Sequence, residues 1–140
     1  MRLVLDAGAA YELVVGGPGA ALVASALRAG VLPPAAPELL DLEVAAALRR
    51  AVTLGDLAAD PAARVLAALS AMPLTRCPHR PLMARVWSLR DRLTATDACY
   101  VALAERLAGR GRGLLLTTDV ELARTAATVG TIDIELVPVR

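Results

Sequence analysis

The sequence has 140 residues, 56% of them hydrophobic, and a net charge of +1, which is enough for one domain over 1–140 with a buried core and excludes a disordered chain. All 15 basic residues are Arg; without Lys, a Walker-type phosphate loop and Schiff-base chemistry are excluded. No apolar run approaches the ~20 residues of a membrane span. Cys77 and Cys99 have neither metal-ligand nor disulfide spacing, so the reducing cytoplasm is the expected setting.

In chain order, Arg2-Leu3-Val4-Leu5 is too short an apolar run for a signal peptide and reads as a buried strand that ends abruptly on Asp6. A helix is expected from about Ala9 to Val15, closed by the turn Gly16-Gly17-Pro18-Gly19, which lacks the GxGxxG spacing of a dinucleotide loop. Ala20 to Arg28 is a second helix with Gly30 past its end; Val31-Leu32 is a brief strand stopped by Pro33-Pro34. Pro37 to about Thr53 is the next helix, with Glu38 and Asp41 as acids near its N-terminus. Glu43 differs, because its neighbours on the helical wheel are Leu39, Leu40, Ala46 and Ala47. An acid on an apolar face needs a reason.

Asp60-Pro61 reads as an N-cap and first-turn Pro that open a helix to about Ala71. Leu74 to Cys77 is an edge strand or a loop, and a helix follows from about Leu82 to Arg92, carrying Trp87 as a core side chain. His79, the only His, lies between Pro78 and Pro81 and reads as a loop residue. From Thr94 onward comes the stretch that organises the chain: a helix apolar nearly all round, capped by Thr94 or Thr96, with Asp97 in its first turn. Gly109, Gly111 and Gly113 make a loose connection carrying Arg110 and Arg112. Leu114 to Leu116 is a strand ending on Thr117-Thr118-Asp119, a helix runs from Val120 to Thr128, and Ile134 to Val139 is the last strand.

Alternation of strands and helices points to an α/β domain with a parallel sheet. In that architecture Asp6 and Asp119 share the carboxyl edge of the sheet, and Glu43 and Asp97 lie on helices able to pack over it. Two like charges about 4 Å apart cost on the order of 4 kcal/mol at an effective dielectric near 20. Four converging carboxylates are therefore tenable only with bound cations or raised pKa values, and all-oxygen ligands suit Mg²⁺ or Mn²⁺. The Arg-rich segment from Arg76 to Arg112, including Arg110 and Arg112, is read either as solvated helix faces or as a surface that tracks phosphates.

Four blocks in order, Val4-Leu5-Asp6-Ala7, Pro37 to Glu43, Thr96 to Glu105 and Leu115 to Asp119, with Trp87 to Arg90 before the third, give the chain a resemblance to PIN-domain ribonucleases of the VapC type, the toxins of bacterial toxin–antitoxin pairs. The resemblance implies a Rossmann-like three-layer α/β/α sandwich and metal-dependent cleavage of phosphodiester bonds in RNA, a tRNA or an rRNA. It implies that Asp6, Glu43, Asp97 and Asp119 are the catalytic acids and that Thr117 is a supporting hydroxyl. It further implies that Asp6, Asp97 and Asp119 hold Mg²⁺ or Mn²⁺, with Glu43 binding a second ion or steering the attacking water. A homodimer and a VapB-like antitoxin are the implied protein partners. One departure stands out: the family's Ser or Thr two residues after the first acid is Gly8 here, which removes a hydrogen bond around the metal. Two rival readings are an acidic-pocket phosphatase of another α/β family, which would need a second Asp soon after Asp6, and a silent RNA- or protein-binding module, which would leave four acids idle.

Overall fold

The computed structural model describes residues 2–129 and 131–139. Five strands form one wholly parallel sheet in the order β3-β2-β1-β4-β5: β1 (Leu3–Leu5), β2 (Ala35–Pro37), β3 (Thr75–Cys77), β4 (Gly113–Thr117) and β5 (Ile132–Leu136). Central β1 is buried throughout and registers Val4 opposite Ala35 on one side and Leu115 on the other. The chain runs outward from β1 through β2 to β3, then crosses back to β4 and on to β5. Right-handed connections put the helices of these two directions on opposite faces, giving three layers. On one face α1 (Ala7–Val15), α2 (Ala20–Ala29), α3 (Leu39–Thr53) and α4 (Ala59–Ala71) pack on one another. On the other, α5 (Met83–Ser88) packs on α6 (Ala95–Ala108), which lies along β1, β2 and β4, and α7 (Val120–Val129) lies on β5.

The central helix behaves as its composition dictates. Residues Ala98 to Ala104 of α6 are all buried, and Thr94 caps its N-terminus by accepting from the Asp97 amide at 3.3 Å. Gly113 is what lets α6 seat on β4, because a Cβ there would overlap the Ala104 carbonyl.

Several elements differ from the sequence reading. The second strand is Ala35–Pro37, not Val31-Leu32, and Val31 is 98% exposed. Consecutive Pro33 and Pro34 carry no N–H for a ladder, whereas Ala35 and Ala36 are small enough for a strand covered on both faces. Pro37 thus closes a strand, and α3 starts at Leu39. Helix α4 starts at Ala59, with Ala58 rather than Asp60 at the cap position. The helix expected over Leu82 to Arg92 is a 3₁₀ turn (Arg80–Leu82) followed by the short α5. Trp87 is 69% exposed rather than in the core, with the Arg90 guanidinium 4.9 Å from its ring centre. The first helix begins at Ala7, and the last strand is Ile132–Leu136 rather than Ile134 to Val139. No single helix among the described residues is long and apolar enough to cross a membrane.

Candidate active site

The chain reverses direction between β1 and β4, and in open parallel sheets ligands bind beyond the carboxyl ends of the strands at such a point. A cleft of about 380 Å³ lies there, lined by Asp6, Glu43, Asp97 and Asp119. Each acid arrives for a local reason. Asp6 follows β1 and is the N-cap of α1, accepting from the Ala9 amide at 2.7 Å. Asp119 follows β4 and caps α7 with Oδ1, which accepts from the Glu121 and Leu122 amides at 2.9 and 3.0 Å. Asp97 stands in the first turn of α6 and Glu43 one turn into α3.

Thr117 ties the two strand-end acids together. Its fully buried hydroxyl donates to Asp6 Oδ2 and accepts from the Asp119 amide at 3.0 Å. Tyr100, 2% exposed, donates its hydroxyl to Glu43 Oε1 at 2.7 Å and so bridges the two helical layers over the sheet edge.

The acids feel one another. Burial raises the Asp6 pKa from 3.8 to about 6, against the lowering effect of the Thr117 and Ala9 hydrogen bonds and with added repulsion from Asp119 and Glu43. Burial also raises Glu43, opposed by the Tyr100 hydrogen bond and assisted by Asp97. Asp97 is raised by burial, opposed by Thr94 and assisted by Asp119. The repulsions thus link Asp6 to Asp119 and Glu43, and Asp97 to Glu43 and Asp119, which closes a ring of four.

Tyr100, Arg50, Thr118 and Glu12 also line the cleft, and the sequence reading gave none of them a role. Spacing carried a signal for two of them. Tyr100 is three residues after Asp97 and Arg50 seven after Glu43, so each shares a helix face with an acid. Glu12 is buried and accepts from the Gly19 amide at 3.0 Å, pinning the turn between α1 and α2.

Three arginines of the Arg-rich segment are engaged in ion pairs within the fold. Arg76 makes a two-pronged ion pair with Asp41, at 2.6 and 3.0 Å, and donates to the Leu69 carbonyl, fastening β3 to α3 and α4. Arg85 pairs with Glu105 through two hydrogen bonds of 2.8 Å. Arg112 pairs with Asp133 at 2.7 Å. Arg110 and Arg112 precede β4, whereas the acids lie beyond its other end, about 16 Å away at ~3.3 Å per strand residue.

A parallel sheet with acids ringed about its switch point defines a class, and the class has a name: the chain belongs to the PIN-domain family, whose model matches residues 3–128. Within it, the chain is similar to ribonucleases named VapC. It is 37% identical to Ribonuclease VapC12 of Mycobacterium tuberculosis over 124 residues, 88% of this chain and 91% of that one. It is 40% identical to Ribonuclease VapC1 of the same species over 121 residues, 86% and 87% of the two chains. Among solved structures, it matches the fold of PAE2754 from Pyrobaculum aerophilum with a TM-score of 0.65 and 23% identity, covering 96% of this chain and 89% of that one.

Proposed function

We propose that this chain is a metal-dependent endoribonuclease and the toxin of a VapBC-type pair. The observation that carries the reading is the ring of four mutually repelling carboxylates in one cleft at the switch point of a PIN fold. Such crowding is relieved by a hard cation, and Asp6, Asp97 and Asp119 supply the all-oxygen donors that Mg²⁺ or Mn²⁺ prefers. Among the described residues no three or more His, Cys, Asp or Glu side chains stand ready to hold a metal ion by themselves. An ion that keeps several of its waters reaches carboxylates partly through them, so the proposed site does not need all three acids in direct contact with it. When bound, the ion would polarise the scissile phosphate and lower the pKa of a water.

The remaining roles belong to the chain itself. Thr117 and the Ala9 amide hold the Asp6 carboxylate in one orientation. Tyr100 holds Glu43, whose raised pKa suits a group that takes a proton from the attacking water. Arg50 is the basic side chain lining the cleft and would take a phosphate beside the cut. Arg110 and Arg112, on the far edge of the sheet, would meet phosphates of the same RNA only if it runs well past the cleft, as a tRNA or rRNA does. By the same reading the protein works in the cytoplasm as a homodimer held silent by a VapB-like antitoxin.

The test is cleavage of tRNA and rRNA by the purified protein with Mg²⁺ or Mn²⁺ and with EDTA, beside a chromogenic phosphate monoester. Metal-dependent RNA cutting without monoester hydrolysis is the expected result. Monoester hydrolysis alone would assign the cleft to a phosphatase, and RNA binding without cutting would make the chain a silent binding module. For the toxin role, expression without the antitoxin should arrest growth; unhindered growth with active ribonuclease in the extract would refute it.

A further inference from the structure

Two adjacent hydroxyls end β4, and only one of them is used up. Thr117 spends its hydroxyl on Asp6 and the Asp119 amide. Thr118 is half-buried and lines the cleft with Asp6 and Asp119, and its hydroxyl has no hydrogen-bond partner among the described residues.

Residue 8 decides where that hydroxyl sits. A Cβ at Gly8 would overlap Thr118 Oγ1 and stand 3.2 Å from Thr118 Cβ. The backbone gives no other reason for the glycine: Gly8 lies inside α1, and only Gly16, Gly55 and Gly109 have positive φ among the described residues. Glycine within a helix costs roughly 1 kcal/mol relative to Ala. What the position does supply is room for the Thr118 hydroxyl, at the mouth of the cleft beside the N-cap acid Asp6.

We infer that Thr118 is a positioning residue of this cleft, its hydroxyl seated over Gly8 to hydrogen-bond the water shell of the divalent cation held at Asp6 and Asp119. The inference rests on the metal-dependent reading above. It also gives the missing hydroxyl at residue 8 a counterpart: the space a side chain there would enter holds the Thr118 hydroxyl, from the residue just past β4. A side chain at residue 8 excludes the Thr118 hydroxyl from the rotamer it occupies here.

The experiment is calorimetric titration of the metal-free protein with Mn²⁺, with melting in EDTA measured alongside. The proteins are wild type, Asp97→Asn, Thr118→Ala, Thr118→Ser, Gly8→Ser and the double variant Gly8→Ser/Thr118→Ala. Thr118→Ala is expected to weaken Mn²⁺ binding about tenfold, the usual loss when a partner outside the ligand set is removed, and Thr118→Ser to keep it. Gly8→Ser alone should lower the EDTA melting point, and adding Thr118→Ala should restore both the melting point and the affinity, with the hydroxyl now delivered from residue 8. Thr118→Ala binding Mn²⁺ within about twofold of a wild type whose binding Asp97→Asn abolishes would overturn this inference alone. Failure of the double variant to recover would do the same. A wild type that binds no Mn²⁺ would overturn the metal reading and this inference with it.

Discussion

Asp6→Asn probes, through stability alone, the cost of burying the Asp6 carboxylate beside Asp119 and Glu43. In the folded protein the Asp6 carboxyl titrates at about 6, against 3.8 for an ordinary Asp. The difference, 6 minus 3.8, is 2.2 units; at ~1.4 kcal/mol per unit the ionised form costs the metal-free fold about 3 kcal/mol. The folded pKa lies above the unfolded one, so between the two the native state still holds a proton that the unfolded state has released. Stability therefore falls as pH rises from about 4 to 6, and the whole penalty is present above that window. Asn is neutral at every pH and keeps an acceptor for the Ala9 amide, but it turns an NH₂ toward the Thr117 hydroxyl, which costs about 1 kcal/mol throughout. The variant should therefore be no more stable than wild type at pH 4 and about 2 kcal/mol more stable at pH 8. Thermal melts of both proteins in EDTA from pH 4 to pH 8 read this directly, at roughly 4 °C per kcal/mol. Wild type should also gain from Mn²⁺ at pH 8 far more than the variant does. A melting-point difference that stays constant within about 1 °C across the pH range would refute the raised Asp6 pKa and the burial argument behind it.

Asp97→Asn is expected to abolish RNA cleavage in a protein that still folds, as judged by circular dichroism; activity within about threefold of wild type would remove Asp97 from the site. Tyr100→Phe takes away the hydrogen bond that lowers the Glu43 pKa, so the acid limb of the pH–rate profile should move to higher pH, with kcat down about tenfold. Replacing Arg110 and Arg112 with Ala should weaken binding of full-length RNA and flatten its logarithmic salt dependence by about 1.5, while cleavage of an oligonucleotide confined to the cleft is unchanged. An unaltered slope would show that neither side chain meets an RNA phosphate. Gly113→Ala should lower the melting point by several degrees, about 2 kcal/mol of overpacking, because its methyl meets the Ala104 backbone. A melt equal to wild type would show that α6 can move off β4.

The acids were legible in the sequence because a strand covered on both faces tolerates a polar side chain only where it leaves the sheet. Asp6 after Leu3-Val4-Leu5 and Thr117-Thr118-Asp119 after Leu114-Leu115-Leu116 therefore mark the same edge before any coordinates exist. The central helix was legible for a related reason: the run from Ala98 to Ala104 offers no polar face to solvent, so it has to be buried. Glu43 stood out as an acid among apolar neighbours, though its bond to Tyr100, 57 positions away, did not.

Tertiary structure alone decided the rest. Strands β2 and β3 are three residues each, too short to show a period of two, and what makes them strands is pairing with β1 and with each other. The same holds for the charges. Arg76, Arg85 and Arg112 look alike along the chain, but Asp41, Glu105 and Asp133 claim them from 35, 20 and 21 positions away. Gly8 reads along the chain only as a missing hydroxyl, and it takes the fold to bring Thr118 to the space it leaves. Burial depends on composition and periodicity, which local sequence carries. Which side chain meets which depends on sheet order and on the choice of crossover, and no short window of sequence carries those.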